Sequence, residues 1–408
     1  MYSRDNIKTA IDEGHLKVIP YEEKNLTGIG YNMSTINFAF SINQGLLLKI
    51  YVDTTEKGYM HYVKIPAHDT VLLFSKEFLE TDDTLAGTFH SKVSRVCQGL
   101  GHISTTLDPM WKGQLIIAVN NPTNKKIRFN LDESSGNIFT LLLYGLDQNV
   151  TGKNVHDNNQ GRCDLLLSHF TNGFSSWFHQ KQHLELENFI VKEFANSLNG
   201  YDDFMSENPK DKYAEKVKKL LKLEEQLQRD MLLIKEGRYG IRESGRYEIL
   251  RDESQKELIR GCSIFPLKKS LSEEIMNKQY DQTALYNNSS DIVNIIKQYL
   301  MVIEYELETI NHNRRVAWQN EKISKYALEN SKVFKRRKIK QAVLIAISLI
   351  GCVGISYFFG YLIYGALGRA GVPQSNILEN MAQILFGGVV TLIVGLLADL
   401  IIKLWDKK

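Results

Sequence analysis

Apolar and polar positions change their rhythm twice along this chain. After a helical opening from Asp5 to Glu13, the runs INFAFSI, GLLLKIYV, YMHYVKI, TVLLFS, GQLIIAVNN, KIRFNL and NIFTLLLYGL are β-rich and separated by turn residues. Short strands at such spacing predict a sandwich or barrel over the first 150 residues or so. From Tyr213 the period becomes helical, through Val217, Leu220, Leu227, Met231 and Ile234. A second stretch, Val293, Ile296, Leu300, Ile303, Leu307 and Ile310, alternates steps of three and four, the signature of a coiled-coil seam or a bundle face. No proline falls between Leu267 and Val372, so this second helix is expected to run on without a break.

The third rhythm is a loss of polarity. Gln341 to Leu367 and Met381 to Ile402 are mostly Leu, Ile, Val, Gly, Ala and Phe, joined by the turn RAGVPQSNILEN. A bilayer span takes ~20 predominantly apolar residues, so the pair reads as a transmembrane hairpin embedded in a lipid bilayer. Lys332, Lys335, Arg336, Arg337, Lys338 and Lys340 precede it, and Lys403, Lys407 and Lys408 follow. That distribution places both termini in the cytoplasm. Gly387 and Gly388 would permit close helix contact, and Asp399 is a carboxylate within the second span.

Composition narrows the classes. Fifty Lys and Arg against 47 Asp and Glu leave a net charge of +3 over 408 residues, which does not argue for a nucleic-acid partner. Cys97, Cys163, Cys262 and Cys352 form no C-x-x-C pair, so neither a disulfide framework nor a cysteine-rich zinc site is expected, and a reducing compartment fits. The first twenty residues hold no apolar stretch of the signal-peptide kind. P-loop, G-x-G-x-x-G and zinc-deaminase signatures are absent.

A set of ordered motifs remains. MYSRDNIKTAIDEGHLKVIPYEEKNLTGIGYNMS resembles the N-terminus of dCTP deaminases: a starter helix, a strand ending in a proline turn, then a segment like their P-x-S-Y-D-L. His90-Ser91-Lys92-Val93-Ser94-Arg95 stands where the family has R-S-S-L-A-R, and Leu107-Asp108-Pro109-Met110-Trp111-Lys112-Gly113 where it has I-D-P-G-W-x-G. The resemblance covers roughly the first 165 residues and implies the compact β-fold shared with trimeric dUTPases, with sites built between neighbouring subunits. It implies nucleotide contacts for Ser91, Lys92, Arg95, Asp108 and Trp111, and a closing segment containing Gln160. It also implies Asp108 as the catalytic residue if the chemistry is hydrolytic, with Mg²⁺ carried on the nucleotide phosphates and no metal site of the protein's own. The family's catalytic glutamate falls at Ala118, which cannot shuttle a proton, so deamination is not expected.

These readings give a multidomain fold. A dUTPase-like, all-β nucleotide-binding domain spans 1–165, a connecting helical segment 166–208, a helical or coiled-coil stalk 209–340 and a transmembrane hairpin 341–404. The favoured function is a homotrimeric, membrane-anchored nucleotide sensor whose stalk couples the β-domain to the hairpin, with antiviral defence suggested by the architecture alone. A tethered nucleotide hydrolase (dUTPase-like pyrophosphatase or dCTP deaminase) and a non-catalytic trimeric scaffold are the alternatives.

Overall fold

The computed structural model describes residues 1–56, 58–102, 105–131, 138–150, 188–189, 194, 211–239 and 246–369. The first helix, α1 (Arg4–Glu13), opens with a capping box: Ser3 accepts from the Asn6 backbone while the Asn6 side chain accepts from the Ser3 backbone. It ends at Gly14, whose φ of 84° suits a residue without a Cβ. Strands follow as β1 (Leu16–Ile19), β2 (Tyr31–Met33), β3 (Thr35–Ser41), β4 (Leu46–Leu47), β5 (Tyr51–Thr55), β6 (Gly58–Ile65), β7 (Asp69–Thr81) and β8 (Leu85–Ser91). A one-turn helix, α2 (Val93–Val96), precedes β9 (Gly101–His102), β10 (Thr106–Leu107), β11 (Lys112–Asn121), β12 (Ile127–Asn130) and β13 (Phe139–Gly145).

These strands form three sheets. The largest runs β4-β3-β7-β11-β9, with β1 also on β7; the second runs β10-β8-β13-β2; the third is β12-β6-β5. Strand alternation sends successive side chains to opposite faces. Along β11, Ile117 and Val119 enter the main core, while Ile116 and Ala118 face a second cluster containing Ile36, Phe38, Phe40 and Phe74.

The centre of the large sheet is irregular. Three β7 residues between Phe74 and Phe78 stand opposite Leu115 of β11, and β3 slips similarly between Thr35 and Ala39. Such bulges take backbone groups out of the ladder, and each then needs another partner. The helical region supplies several of them.

That region comprises α3 (Ala214–Lys235), β14 (Tyr247–Glu248), α4 (Glu253–Arg260), α5 (Glu273–Met276), β15 (Gln279–Tyr280), α6 (Gln282–Asn287) and α7 (Ser289–Arg369). β14 and β15 pair as a short antiparallel ribbon. The seam residues Val293, Ile296, Ile303 and Ile310 of α7 are buried with Leu220, Leu223, Leu227 and Ile234 of α3, in the same core that holds Val18, Phe78 and Leu79.

The expected coiled-coil stalk is therefore corrected to a bundle face. The heptad seam is spent on partners within the chain, and α7 lies against the β-domain. Tyr305 Oη donates to the Val18 carbonyl, and Lys17 Nζ sits 2.9 and 3.1 Å from the Glu308 carboxylate oxygens. His312 Nε2 is 2.6 Å from the Lys76 carbonyl oxygen. Asn320 Oδ1 accepts the Asn37 backbone N–H at 2.7 Å, and Gln319 Nε2 donates to Gln114 Oε1 at 3.3 Å. Farther along, Val316, Ile323 and Ala327 close over the second cluster. Phe194 stacks on Phe38 at 5.0 Å there, and Phe189 on Tyr326 at 4.5 Å.

The transmembrane hairpin is also corrected. Among the described residues, no helix is long and apolar enough to cross a membrane. The sequence window counted apolar residues over Gln341–Leu367, whereas a span requires those properties of the helix itself. That stretch is the far part of α7, an 81-residue helix that begins in the polar sequence SSDIVN and packs on the β-domain through residues from Tyr305 to Ala327. The two-span localisation with cytoplasmic termini and the bilayer as partner fall with the hairpin. The second apolar run, with Gly387, Gly388 and Asp399, lies outside the described residues.

Candidate functional site

β8 ends at Ser91, which is held in register opposite Phe139 of β13. Lys92 then turns the chain into α2, whose first turn closes through Arg95 N–H to the Lys92 carbonyl at 2.9 Å. Ser91 and Arg95 line a cavity of about 10 Å³ with Leu100, Gly101, Val119, Phe129, Ile138 and Phe139. That volume accommodates about one water molecule, so within one chain the cavity does not hold a whole nucleotide.

Two cations belong to this loop, of which Arg95 lines the cavity. Arg95 is buried, its guanidinium 5.2 Å from the Phe129 ring centroid, with Nη1 donating to Gln98 Oε1 at 3.4 Å. Burial holds its pKa below the usual value. Lys92 is also lowered, by burial first and by the Arg95 charge second. Both shifts disfavour the charged forms, and a nearby anion would oppose them.

The other expected contacts are dispersed. Asp108 follows Leu107, which pairs with Gly87 of β8. Ser91 lies four residues beyond Gly87, roughly 13 Å along the strand. The Asp108 carboxylate accepts from Thr106 Oγ1 at 3.3 Å, and its carbonyl accepts from Thr81 Oγ1 at 3.5 Å. Trp111 is a core residue: its ring is buried and Nε1 donates to the Gly113 carbonyl at 3.0 Å. Ala118 faces the cluster under α7, whereas its neighbour Val119 lines the Ser91–Arg95 cavity. Ala118 and the cavity are thus on opposite faces of β11. Gln160 lies outside the described residues.

Sequence reasoning missed one carboxylate. Glu77 is buried in the β7 bulge, where it accepts from the Ser34 N–H at 3.0 and 3.2 Å and from Ser34 Oγ at 2.8 Å. Burial pushes its pKa up to about 7, against the pull of the Ser34 hydrogen bond and the Lys76 charge. Its signal was an acid amid the apolar run TVLLFSKEFLET. Its partners are all structural, so it is read as a bulge clamp.

Among the described residues, no group of three or more His, Cys, Asp or Glu side chains is placed to hold a metal ion. Asp108 offers a single carboxylate, which suits a Mg²⁺ arriving with phosphates better than a resident ion.

No protein-family model matches this chain, and no curated protein matches it. Solved structures do resemble part of it. The dUTPase of EIAV is 15% identical with a TM-score of 0.23, over 35% of this chain and 98% of its own. A mutant dUTPase from phage phi11 of S. aureus, whose structure describes the coordination of a structural Mg(II) ion, is 10% identical with a TM-score of 0.23, over 35% and 98%. The 2'-deoxycytidine 5'-triphosphate deaminase from Agrobacterium tumefaciens is 8% identical with a TM-score of 0.26, over 35% of this chain and 47% of its own. These likenesses are of low score and low identity, and they assign the chain to no family.

Proposed function

We propose that the β-domain binds a nucleotide through its phosphates at the Ser91–Arg95 loop and does not deaminate it. The observation that carries this reading is geometric: Ser91 and Arg95 line one cavity, and Lys92 stands between them at the start of α2. An anion with several oxygens would bridge the two cations and the hydroxyl. The small cavity and the dispersal of Asp108 fit a site completed by a second copy of the chain, as the resemblance to trimeric dUTPases implies. Mg²⁺ would then come bound to the phosphates. Ala118, on the far face of β11, has neither the side chain nor the position for proton transfer to a ligand there. An antiviral role lost its basis when the membrane architecture was corrected.

The test uses the full chain with each NTP and dNTP, reading binding by thermal shift and turnover by chromatography. At least one triphosphate should raise the melting temperature. Lys92→Ala should weaken that binding about tenfold, the size of one charge-assisted hydrogen bond, and dCTP should be recovered intact. Absence of any shift, unchanged binding by Lys92→Ala, or formation of dUTP from dCTP would each overturn the proposal. Product from dUTP that is lost in Asp108→Asn would instead identify a hydrolase.

A further inference from the structure

The outer face of the small sheet carries a cluster of aromatic and cationic side chains. On β6, Val63 and Ile65 point into the core, as does Phe129 of β12. The alternate residues therefore face outward. They are Tyr51 and Asp53 on β5, Met60, Tyr62 and Lys64 on β6, and Arg128 and Asn130 on β12, with Tyr51 opposite Tyr62 and Arg128 opposite Lys64.

The two tyrosine rings stack at 5.1 Å with an interplanar angle of 17°. Arg128 lies 3.7 Å from the Tyr62 centroid, while Lys49 and Lys64 lie 4.8 and 5.1 Å from that of Tyr51. Asp53, 2.6 Å from Arg128 Nη1, is the acid that pairs within this set. Lys49, Lys64 and Arg128 are exposed, and so are Lys125 and Lys126 in the turn before β12. A chain-wide charge of +3 conceals this local excess.

We infer that this face binds single-stranded nucleic acid. Flat rings set among flexible cations are what a strand of alternating bases and phosphates complements: bases stack on aromatic faces, and the cations that now cover those faces move to the phosphates. Pairing across the strands sets Tyr51 opposite Tyr62, so the two rings are held together before the ligand arrives. A β-sheet face also suits unpaired bases better than a duplex, whose bases are already stacked on one another.

The experiment is fluorescence anisotropy of the full chain with a labelled oligothymidylate, at two salt concentrations, with the corresponding duplex and polyglutamate as competitors. Binding should weaken with added salt. Tyr51→Leu and Tyr62→Leu should each reduce affinity about tenfold, one base stack each, and Lys64→Gln with Arg128→Gln should flatten the salt dependence. The leucine variants keep an apolar side chain on the strand, and an unchanged melting temperature would confirm their fold. The inference is overturned if the wild type does not bind, if the tyrosine variants bind as well as the wild type, or if polyglutamate or duplex competes as effectively as the single strand. Loss in the Tyr62 variant with triphosphate binding intact would separate this face from the Ser91–Arg95 site.

Discussion

His312 Nε2 lies 2.6 Å from the carbonyl oxygen of Lys76, in the bulge at the centre of the large sheet. A ring nitrogen that close to a carbonyl must carry the proton and donate it. Burial, with the charges of Arg315 and Lys76 adding to it, pushes the imidazole pKa down to about 3 from 6.5. Neutral His312 thus helps to fasten α7 to the β-domain at the point where the strand ladder fails.

The sign of the resulting pH dependence follows from linkage. Between pH 3 and 6.5 the unfolded chain binds a proton at His312 that the folded chain refuses, so this contribution to stability is complete above 6.5 and declines as pH falls. His312→Gln keeps a donor for Lys76 and cannot titrate. Urea midpoints measured from pH 8 down to pH 4 should fall less steeply in the variant than in the wild type.

Glu77 works in the opposite direction. Its pKa rises from 4.5 to about 7 on folding, so its contribution is complete below 4.5 and is lost as pH rises through 7. Glu77→Gln should remove that decline and match or exceed wild-type stability at pH 8. Glu77→Ala should cost about 1–3 kcal/mol at pH 5, because the buried Ser34 N–H loses its acceptor. Denaturant titration of both variants at both pH values checks the pair.

Gly99 closes the loop that carries Lys92 and Arg95. Its φ is 88°, and a Cβ there would come 2.9 Å from Thr123 Cγ2. Gly99→Ala should therefore lose about 1–2 kcal/mol from backbone conformation and more from the clash. Adding Thr123→Ser removes the offending methyl and should restore only the second part. Full recovery in the double variant would show that the backbone conformation costs nothing there.

Ala118→Glu restores the residue type of the deaminase family yet should not restore the reaction. The new carboxylate would project toward the cluster of Phe38 and Phe74 beneath α7, where an unpaired charge is costly. A lower melting temperature with no dUTP from dCTP is expected. Deamination by this variant would mean that the Ser91–Arg95 cavity is not where the ligand sits.

The periodicity of the chain was a reliable guide to local structure. The seven β-rich runs all reappear in strands, GLLLKIYV divided between β4 and β5, and the helical opening is α1. Alternation of two and of three to four residues is a backbone property, so it can be read without knowing what each face meets. That Ser91 and Arg95 stand on one turn was legible for a similar reason, since neighbours in sequence remain neighbours there. The Tyr51–Tyr62 platform was not, because each tyrosine is unremarkable in its own strand and acquires meaning only from the register that sets them opposite.

What periodicity cannot state is the partner. The α7 seam would suit a second helix of another copy as well as α3 of its own chain, and tertiary packing chose the latter. An apolar count over Gln341–Leu367 likewise left open whether a membrane or protein would be its environment, and no described helix meets the requirement for a span. Ala118 could be numbered from sequence, but only the sheet showed that α7 and the second cluster occupy its face. Glu77 and His312 became interpretable only when the bulge between β7 and β11 exposed the backbone groups around which they are arranged. Sequence determined which segments become strands and helices, because that depends on neighbours a few residues away. Tertiary structure decided what each face is for, because burial, register and the pairing of displaced backbone groups depend on residues hundreds of positions apart.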